Sequence, residues 1–148
     1  ELAKYDYFVR ICGDSPFYPF FIVKKVIYQS QNDLNNIFSI TNVRLRNFPR
    51  GMSIEIYNKS KIEDLVERNK SLSKIEHMSE LITKYKPNNY KVIDITTEFN
   101  LLEILPNKLT LDTYEDYKKL NFLLENNFEA YFEKIITKTK LDIKISNF

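Results

Sequence analysis

Two aspartates that each end an apolar run are the first candidates for chemistry in this chain. Asp14 ends the segment YFVRICGD, and Asp112 ends the segment KLTLD. We expect both runs to be strands, and ligands of open α/β sheets bind in the crevice outside the carboxyl ends of the strands. Two carboxylates in one crevice repel each other unless a cation lies between them, and Mg²⁺ accepts carboxylate ligands while it bridges to a substrate phosphate. The pattern predicts a Mg²⁺ site formed by Asp14 and Asp112.

Each aspartate also has a purely structural interpretation. Asp14 can close the turn that begins at Gly13, and Asp112 can lie at the N-terminus of the next helix, where the helix dipole stabilises its charge. Thr113 is predicted to cap that helix, with Asp116 as the acidic partner of a capping box. The metal-binding and structural interpretations of the two aspartates both stay open at this point.

The segments that position these residues alternate between strand and helix patterns. The predicted strands cover 5–12, 37–46, 52–57, 91–95 and 108–111, and the predicted helices cover 19–31, 58–69, 74–85, a stretch after Thr113, and 128–139, before a short tail. The first run has no polar face, which is typical of a central parallel strand. The alternation predicts an α/β fold in which helices flank a layered sheet.

Composition predicts a folded domain and excludes several classes of protein. The 148 residues are 43% hydrophobic and 28% charged, which is enough to build a core. The net charge of +2 comes from interspersed basic and acidic residues, which argues against a nucleic-acid-binding surface. No run is long and apolar enough for a membrane span, and no signal peptide is visible, which favours a cytoplasmic setting.

Cys12 and the two glycines belong to residue types that are rare in this chain. Cys12 is the only cysteine, so it cannot form an internal disulfide, and its place in an apolar run favours a buried structural thiol over a nucleophile. Gly13 and Gly51 are the only glycines. Each is therefore expected where the backbone needs freedom or close approach.

Four ordered motifs carry a resemblance to a known family. They are VRICGDSPFY at 9–18, NFPRGMSIEIY at 47–57, the pair Glu76-His77 before Met78, and KLTLDTYEDYKKL at 108–120. From Tyr5 to Leu124 the chain resembles the spore-coat polysaccharide biosynthesis branch of the acylneuraminate cytidylyltransferase family. The resemblance implies a Rossmann-like nucleotidyltransferase sheet flanked by helices, and Mg²⁺-assisted transfer of CMP from CTP to a sugar or sugar acid for surface glycans.

The resemblance also bears on how much of a domain this chain contains. The family's N-terminal portion, which carries its nucleotide-binding loop, has no counterpart in the sequence, and the chain starts at Glu1 directly before its first predicted strand. We therefore expect residues 1–148 to be the C-terminal portion of a single cytidylyltransferase-like domain. The isolated chain is expected to be inactive, and the complete protein is a possible homodimer by analogy with the family.

Roles for individual residues follow from the resemblance. Asp14 and Asp112 correspond to the metal-binding carboxylates. Arg10 and His77 are the candidate catalytic residues, and the candidate substrate-binding residues are Gly13, Ser15, Arg50, Glu55 and Glu76. The chain departs from the family at Ser53, where aspartate is usual, and at Ile75, where arginine is usual.

Three of these residues keep alternative interpretations. Arg10 lies in an apolar run and needs a partner, which is either a carboxylate or a substrate group. Arg50 can bind the carboxylate of an acidic sugar or point into solvent. His77 can act as a general base near neutral pH, make a structural hydrogen bond, contact the sugar directly or pack between subunits.

Two other functions compete with the cytidylyltransferase hypothesis. The chain can be a non-catalytic α/β module for interaction or dimerisation. It can also belong to a nucleotidyltransferase that uses another base or a sugar phosphate. Binding of CTP to the protein would distinguish the cytidylyltransferase hypothesis from the first alternative. A panel of nucleoside triphosphates would distinguish it from the second.

Overall fold

A computed structural model describes residues 6–30, 37–68, 78, 80, 91–138 and 140–147 of the chain. In chain order the elements are β1 (Tyr7–Arg10), α1 (Phe20–Ser30), β2 (Ile37–Thr41), β3 (Glu55–Asn58), α2 (Lys59–Arg68), β4 (Lys91–Thr97), a 3-10 turn (Leu101–Glu103), α3 (Tyr114–Glu125), α4 (Phe128–Lys138) and β5 (Leu141–Asn147). The predicted α/β fold is confirmed.

The strands form one mixed sheet with the order β1-β3-β2-β4-β5. Strands β2 and β4 are parallel, whereas β1 with β3, β2 with β3, and β4 with β5 are antiparallel. Helices α1 and α4 pack on the face that carries Ile40, Ile56 and Ile93. Phe38, Tyr57 and Val92 belong to a second cluster with Leu65 of α2. Because neighbours along a strand point to opposite faces, helices cover both faces of the sheet.

The helices form where apolar residues recur at helical spacing. Helix α1 buries Ile22, Val23 and Val26, and α4 buries Phe128, Phe132 and Ile136. Both helices lie within about a residue of their predicted bounds. Within the described ranges, no helix combines the length and the apolar character that crossing a membrane would require.

The interpretation of the first run as a central parallel strand is wrong. Strand β1 has β3 as its neighbour in the described sheet, and it runs antiparallel to β3. Val9 is 36% exposed and Ile11, just beyond β1, is 47% exposed. An apolar run indicates which side chains avoid water, but it does not identify the neighbouring strand. The sequence pattern therefore could not predict the position of β1 in the sheet.

The predicted strand at 108–111 and the predicted tail after 139 are also wrong. The segment 108–111 forms a single bridge, between Arg50 and Lys108, rather than a ladder. The tail instead forms β5, which pairs with β4 along its whole length. Leu141, Ile143 and Ile145 alternate with polar residues, which is the pattern of a half-buried strand and was available in the sequence.

The two glycines have different environments. Gly51 has a φ of +93°, and a Cβ built there would lie 2.5 Å from the carbonyl oxygen of Leu109. Gly51 therefore needs both the left-handed backbone conformation and the close approach that only glycine permits. A Cβ built at Gly13 would meet nothing within 4 Å, and its φ lies outside the positive range. The expectation of a backbone constraint is confirmed at Gly51 and wrong at Gly13.

We predict that Gly51→Ala lowers the free energy of unfolding by about 2 kcal/mol or more, because strain and a backbone clash act together. Gly13→Ala is the matched control, and its effect should stay within about 1 kcal/mol. Urea denaturation of the two variants measures the difference. Equal losses of stability in the two variants would contradict the close approach at Gly51.

Candidate active-site cleft

A cleft of about 560 Å³ lies at one end of β1 and β3. Three segments form it: the end of β1 with the turn that follows, the loop between β2 and β3, and the extended segment before α3. Its lining residues are Arg10, Cys12, Asp14, Ser15, Val43, Arg46, Arg50, Gly51, Ser53, Glu55 and Thr110. The structure thus brings together five of the residues predicted from the sequence, namely Arg10, Asp14, Ser15, Arg50 and Glu55.

The extended segment at 108–111 joins the other two parts of the cleft through backbone hydrogen bonds. The Leu109 N–H donates to the Arg50 carbonyl at 2.8 Å, and the Leu111 N–H donates to the Asp14 carbonyl at 2.8 Å. Gly51 lets the β2–β3 loop approach the segment closely enough for this contact. The segment therefore fixes the distance between the Asp14 turn and the Arg50 loop.

The two predicted metal ligands differ in their surroundings. Asp14 lines the cleft, and its Oδ1 accepts a hydrogen bond from the Ser15 hydroxyl at 3.0 Å. The carboxylate of Asp112 is 2.9 Å from the Lys108 ammonium and accepts from the Thr110 hydroxyl at 3.0 Å, outside the cleft lining. The backbones of the two segments meet, but neither aspartate ends a parallel strand as the sequence argument assumed.

The acidic side chains near the cleft bear on whether Mg²⁺ could bind there. In the part of the chain that the structure describes, no group of three or more His, Cys, Asp or Glu side chains is arranged to hold a metal ion. Mg²⁺ does not require such a set, because it commonly keeps several waters and binds one or two carboxylates together with substrate phosphates. Asp14 fits that requirement, whereas Asp112 lies outside the cleft lining and pairs with Lys108.

Two arginines that line the cleft, Arg46 and Arg50, form no ion pair with an acidic residue that the structure describes. Arg46 donates to the Ser53 hydroxyl at 3.0 Å and to the Pro49 carbonyl at 3.5 Å. Neither Arg46 nor Arg50 forms an ion pair within the described residues. Burial, together with the charge of Arg50, lowers the pKa of Arg46. Two guanidinium groups that repel each other in one cleft provide a site for an anion such as a carboxylate or phosphate.

The sequence analysis missed Arg46. Its signal was the recurrence of arginine at 44, 46 and 50, between two predicted strands. Arg44 differs from the other two because it pairs with the buried Asp94, at 3.4 Å. Only the structure shows that Arg46 and Arg50 line the cleft, whereas Arg44 pairs with Asp94.

Arg10 has a carboxylate partner. Its Nη1 donates to Oε1 of Glu55 at 2.7 Å, across the β1–β3 pair in which the two residues lie directly opposite each other. Burial lowers the pKa of Arg10, but the charge of Glu55, together with smaller contributions from Cys12, the hydrogen bond to Glu55 and Tyr57, leaves that pKa raised. Of the two partners that the sequence left open for Arg10, the structure shows the carboxylate.

The remaining predicted residues lie elsewhere or are not described. Gly13 is an exposed turn residue next to the cleft, outside its lining. Cys12 follows β1 and lines the cleft as a half-buried free thiol, so its interpretation as a fully buried structural thiol is wrong. Glu76 and His77 lie outside the described residues.

Lys108 organises the acidic start of α3. Its ammonium group lies 2.9 Å from Asp112 and 2.6 Å from Asp116. The predicted capping box is confirmed: the Asp116 N–H donates to the Thr113 hydroxyl, and the Thr113 N–H donates to the Asp116 carboxylate. The hydrogen bond from Lys108, with smaller contributions from Thr113 and the Asp112 amide, lowers the pKa of Asp116 to about 2.

Comparison with known proteins gives one informative similarity. The sequence matches no protein-family model and no curated protein. A solved structure similar to this chain is a cytidylyltransferase from Leptospira borgpetersenii serovar Hardjo-bovis (strain JB197), with a TM-score of 0.74 and 25% sequence identity over 92% of the chain. The chain spans 58% of the length of that protein. The similarity confirms the predicted nucleotidyltransferase-like fold and supports a relationship to cytidylyltransferases.

We predict that Lys108→Met raises the pKa of Asp116 towards its ordinary value of 3.8, because the strongest stabilisation of the carboxylate is removed. The lowered pKa means that the charged capping box stabilises the fold above pH 3.8 and loses this effect as the pH falls through about 2. A carboxyl-detected NMR titration measures the shift. Lys118→Met removes an exposed pair with Glu115 and a contact with the Tyr114 ring, neither of which involves Asp116, so this control should leave the pKa of Asp116 unchanged.

Proposed function

We propose that the protein is a cytidylyltransferase that transfers CMP from CTP to a sugar acid, in the manner of the spore-coat branch of the acylneuraminate family. The observation that carries the proposal is the cleft lined by Asp14 together with Arg46 and Arg50, two arginines that form no ion pair within the described residues. Both reactants of such an enzyme are anionic. The similarity to a cytidylyltransferase gives independent support.

In the proposed reaction a sugar hydroxyl attacks the α-phosphorus of CTP, and the bond to the leaving pyrophosphate breaks. A Mg²⁺ held by Asp14 and by phosphate oxygens would neutralise charge on the reacting phosphoryl group. Ser15 donates to Asp14 and thereby orients its carboxylate. Arg10, at the wall of the cleft, orients a phosphoryl oxygen through N–H groups that Glu55 leaves unused.

The other proposed roles follow from the family motif. His77 removes the proton from the attacking hydroxyl, since an imidazole titrates near neutral pH. Glu76 and Gly13 contact the substrate, and Asp112 serves as a second metal ligand once Lys108 releases it. Two acidic side chains, Asp14 and Glu55, line the cleft. Glu55 pairs with Arg10, whereas Asp14 forms no ion pair within the described part of the chain.

The unpaired arginines favour an acidic acceptor over a neutral sugar. A guanidinium group binds a carboxylate through two parallel N–H donors, and Arg46 and Arg50 border the same space. The resemblance adds to this argument. Ser53 stands where the family usually has aspartate, and Arg46 donates to the hydroxyl of Ser53 where an aspartate would supply a charge.

We predict that Asp14→Asn in the full-length protein lowers the rate of CMP transfer by about 10²-fold or more, because the neutral amide cannot hold the cation that stabilises the transition state. Release of pyrophosphate from CTP and an acidic sugar measures the rate. Asp142→Asn, on the exposed side of β5, is the control and should keep the wild-type rate. Full activity of Asp14→Asn would reject the metal role of Asp14.

We also predict that Arg50→Gln raises the KM for the sugar acid by about tenfold or more, while the KM for CTP and kcat change little, because a charge-assisted contact with the acceptor is lost. Steady-state kinetics with each substrate varied in turn test this. Arg68→Gln is the control, since Arg68 lies on α2 and pairs with Asp64. An equal rise in both KM values would place Arg50 on the nucleotide instead.

Calorimetric titration with CTP separates the enzyme from the alternative functions. Binding of CTP in the presence of Mg²⁺ supports the proposal, and a panel of four nucleoside triphosphates tests the choice of base. The absence of any heat at every Mg²⁺ concentration would favour a non-catalytic interaction module.

A further inference from the structure

The Arg10–Glu55 pair lines the cleft and is supported by a buried tyrosine, Tyr57. Glu55 is 4% exposed, and its two carboxylate oxygens have separate donors. Oε1 accepts from Arg10 at 2.7 Å, and Oε2 accepts from the hydroxyl of Tyr57 at 2.6 Å. Tyr57 is fully buried, and the loss of solvent, together with the adjacent charge of Glu55, raises its pKa far above the ordinary value. Tyr57 is therefore a fixed neutral donor.

This arrangement makes Glu55 unsuited to direct contact with an anionic ligand. Its carboxylate would repel a phosphate or a sugar acid, and an ionised carboxylate cannot donate a hydrogen bond. Each of its oxygens already accepts one hydrogen bond, Oε1 from Arg10 and Oε2 from Tyr57. A ligand that displaced Arg10 would break the ion pair of a buried carboxylate, which is costly.

Arg10, in contrast, retains donors for a ligand. In the part of the chain that the structure describes, its side chain makes one hydrogen bond, to Glu55. The guanidinium group is planar, so fixing Nη1 restricts the direction of the remaining N–H groups. The side chain is 29% exposed and lines the cleft, so those groups are accessible to a bound molecule.

We propose that Glu55 is a positioning residue: it holds Arg10, with Tyr57 as its buried anchor, so that the unused N–H groups of Arg10 bind an anionic oxygen in the cleft. This role of Glu55 deepens the proposed function, and it rests on that function for the identification of the anion as a phosphate. Glu55 then acts indirectly, through Arg10, and not as the substrate-binding residue that the resemblance implied.

A double-mutant cycle on ligand affinity tests the proposal. Glu55→Asp keeps the charge but withdraws the carboxylate from Arg10, so it should raise the Kd for inorganic pyrophosphate by about tenfold, the effect of losing a charge-assisted hydrogen bond. In an Arg10→Gln background the same change should alter the Kd by less than about twofold, because Glu55 acts only through Arg10. Equal effects in both backgrounds would overturn the proposal and assign Glu55 a direct contact.

A second pair of variants guards against misfolding of Glu55→Asp. Tyr57→Phe removes only the hydroxyl that anchors Glu55, and it should raise the Kd for pyrophosphate in the same direction, again only when Arg10 is present. Tyr18→Phe is the matched control. Tyr18 is also buried, but it lies outside the cleft lining and its hydroxyl has no hydrogen-bond partner among the described residues, so its removal should leave the Kd unchanged. An unchanged Kd in Tyr57→Phe would overturn the role of the anchor.

The readouts separate failure of this inference from failure of the proposed function. Calorimetry of pyrophosphate binding to the full-length protein requires no turnover and no acceptor. If pyrophosphate binds and the cycle is non-additive, the positioning role stands even when CTP is not a substrate. If the unmodified protein does not bind pyrophosphate, the positioning of Arg10 for a phosphate is overturned, whatever the activity assay shows.

Discussion

The cleft depends on one constraint, which is the attachment of the segment 108–111 to two different loops. Its backbone donates to the carbonyls of Arg50 and Asp14, two residues that are distant in sequence and that both line the cleft. The contact with Arg50 requires Gly51, because any side chain there would meet the Leu109 carbonyl. The capping box of α3 fixes the other end of the same segment. The acidic and basic walls therefore keep their spacing through backbone contacts and leave their side chains free for chemistry.

Charge within the cleft is arranged in layers. At its base, Glu55 is neutralised by Arg10 and anchored by Tyr57, all within the antiparallel pair of β1 and β3. Nearer the opening, Asp14, Arg46 and Arg50 have no ion-pair partners in the described part of the chain. Buried ion pairs are costly unless both members are satisfied. The satisfied pair is accordingly the buried one, and the unsatisfied charges lie where a ligand can reach them.

Local patterns in the sequence predicted the local structure well. Helices α1 and α4 followed from the spacing of apolar residues, and the capping box followed from Thr113 and Asp116, because these depend on residues within a few positions of one another. The place of β1 in the sheet could not be predicted, since it depends on a partner strand far along the chain. The pairing of Arg10 with Glu55, 45 residues apart, could not be predicted either, because it depends on the register between β1 and β3.

The candidate site was predicted in composition better than in geometry. Asp14, Arg10 and Arg50 were identified from motifs and do line one cleft. The argument that placed Asp14 and Asp112 at the ends of parallel strands was wrong, yet their segments are joined by the Leu111–Asp14 hydrogen bond. Arg46 was missed because its place in the cleft depends on how the loop between β2 and β3 folds, and no local motif determines that.

The closeness of Arg46 and Arg50 has a consequence for the folded state as a whole. Like charges held together by the fold oppose it, and burial adds to the cost at Arg46. An anion that neutralises them binds the native chain and not the unfolded one, so its concentration shifts the folding equilibrium by mass action. The thermal stability of the protein would then rise with the concentration of such an anion.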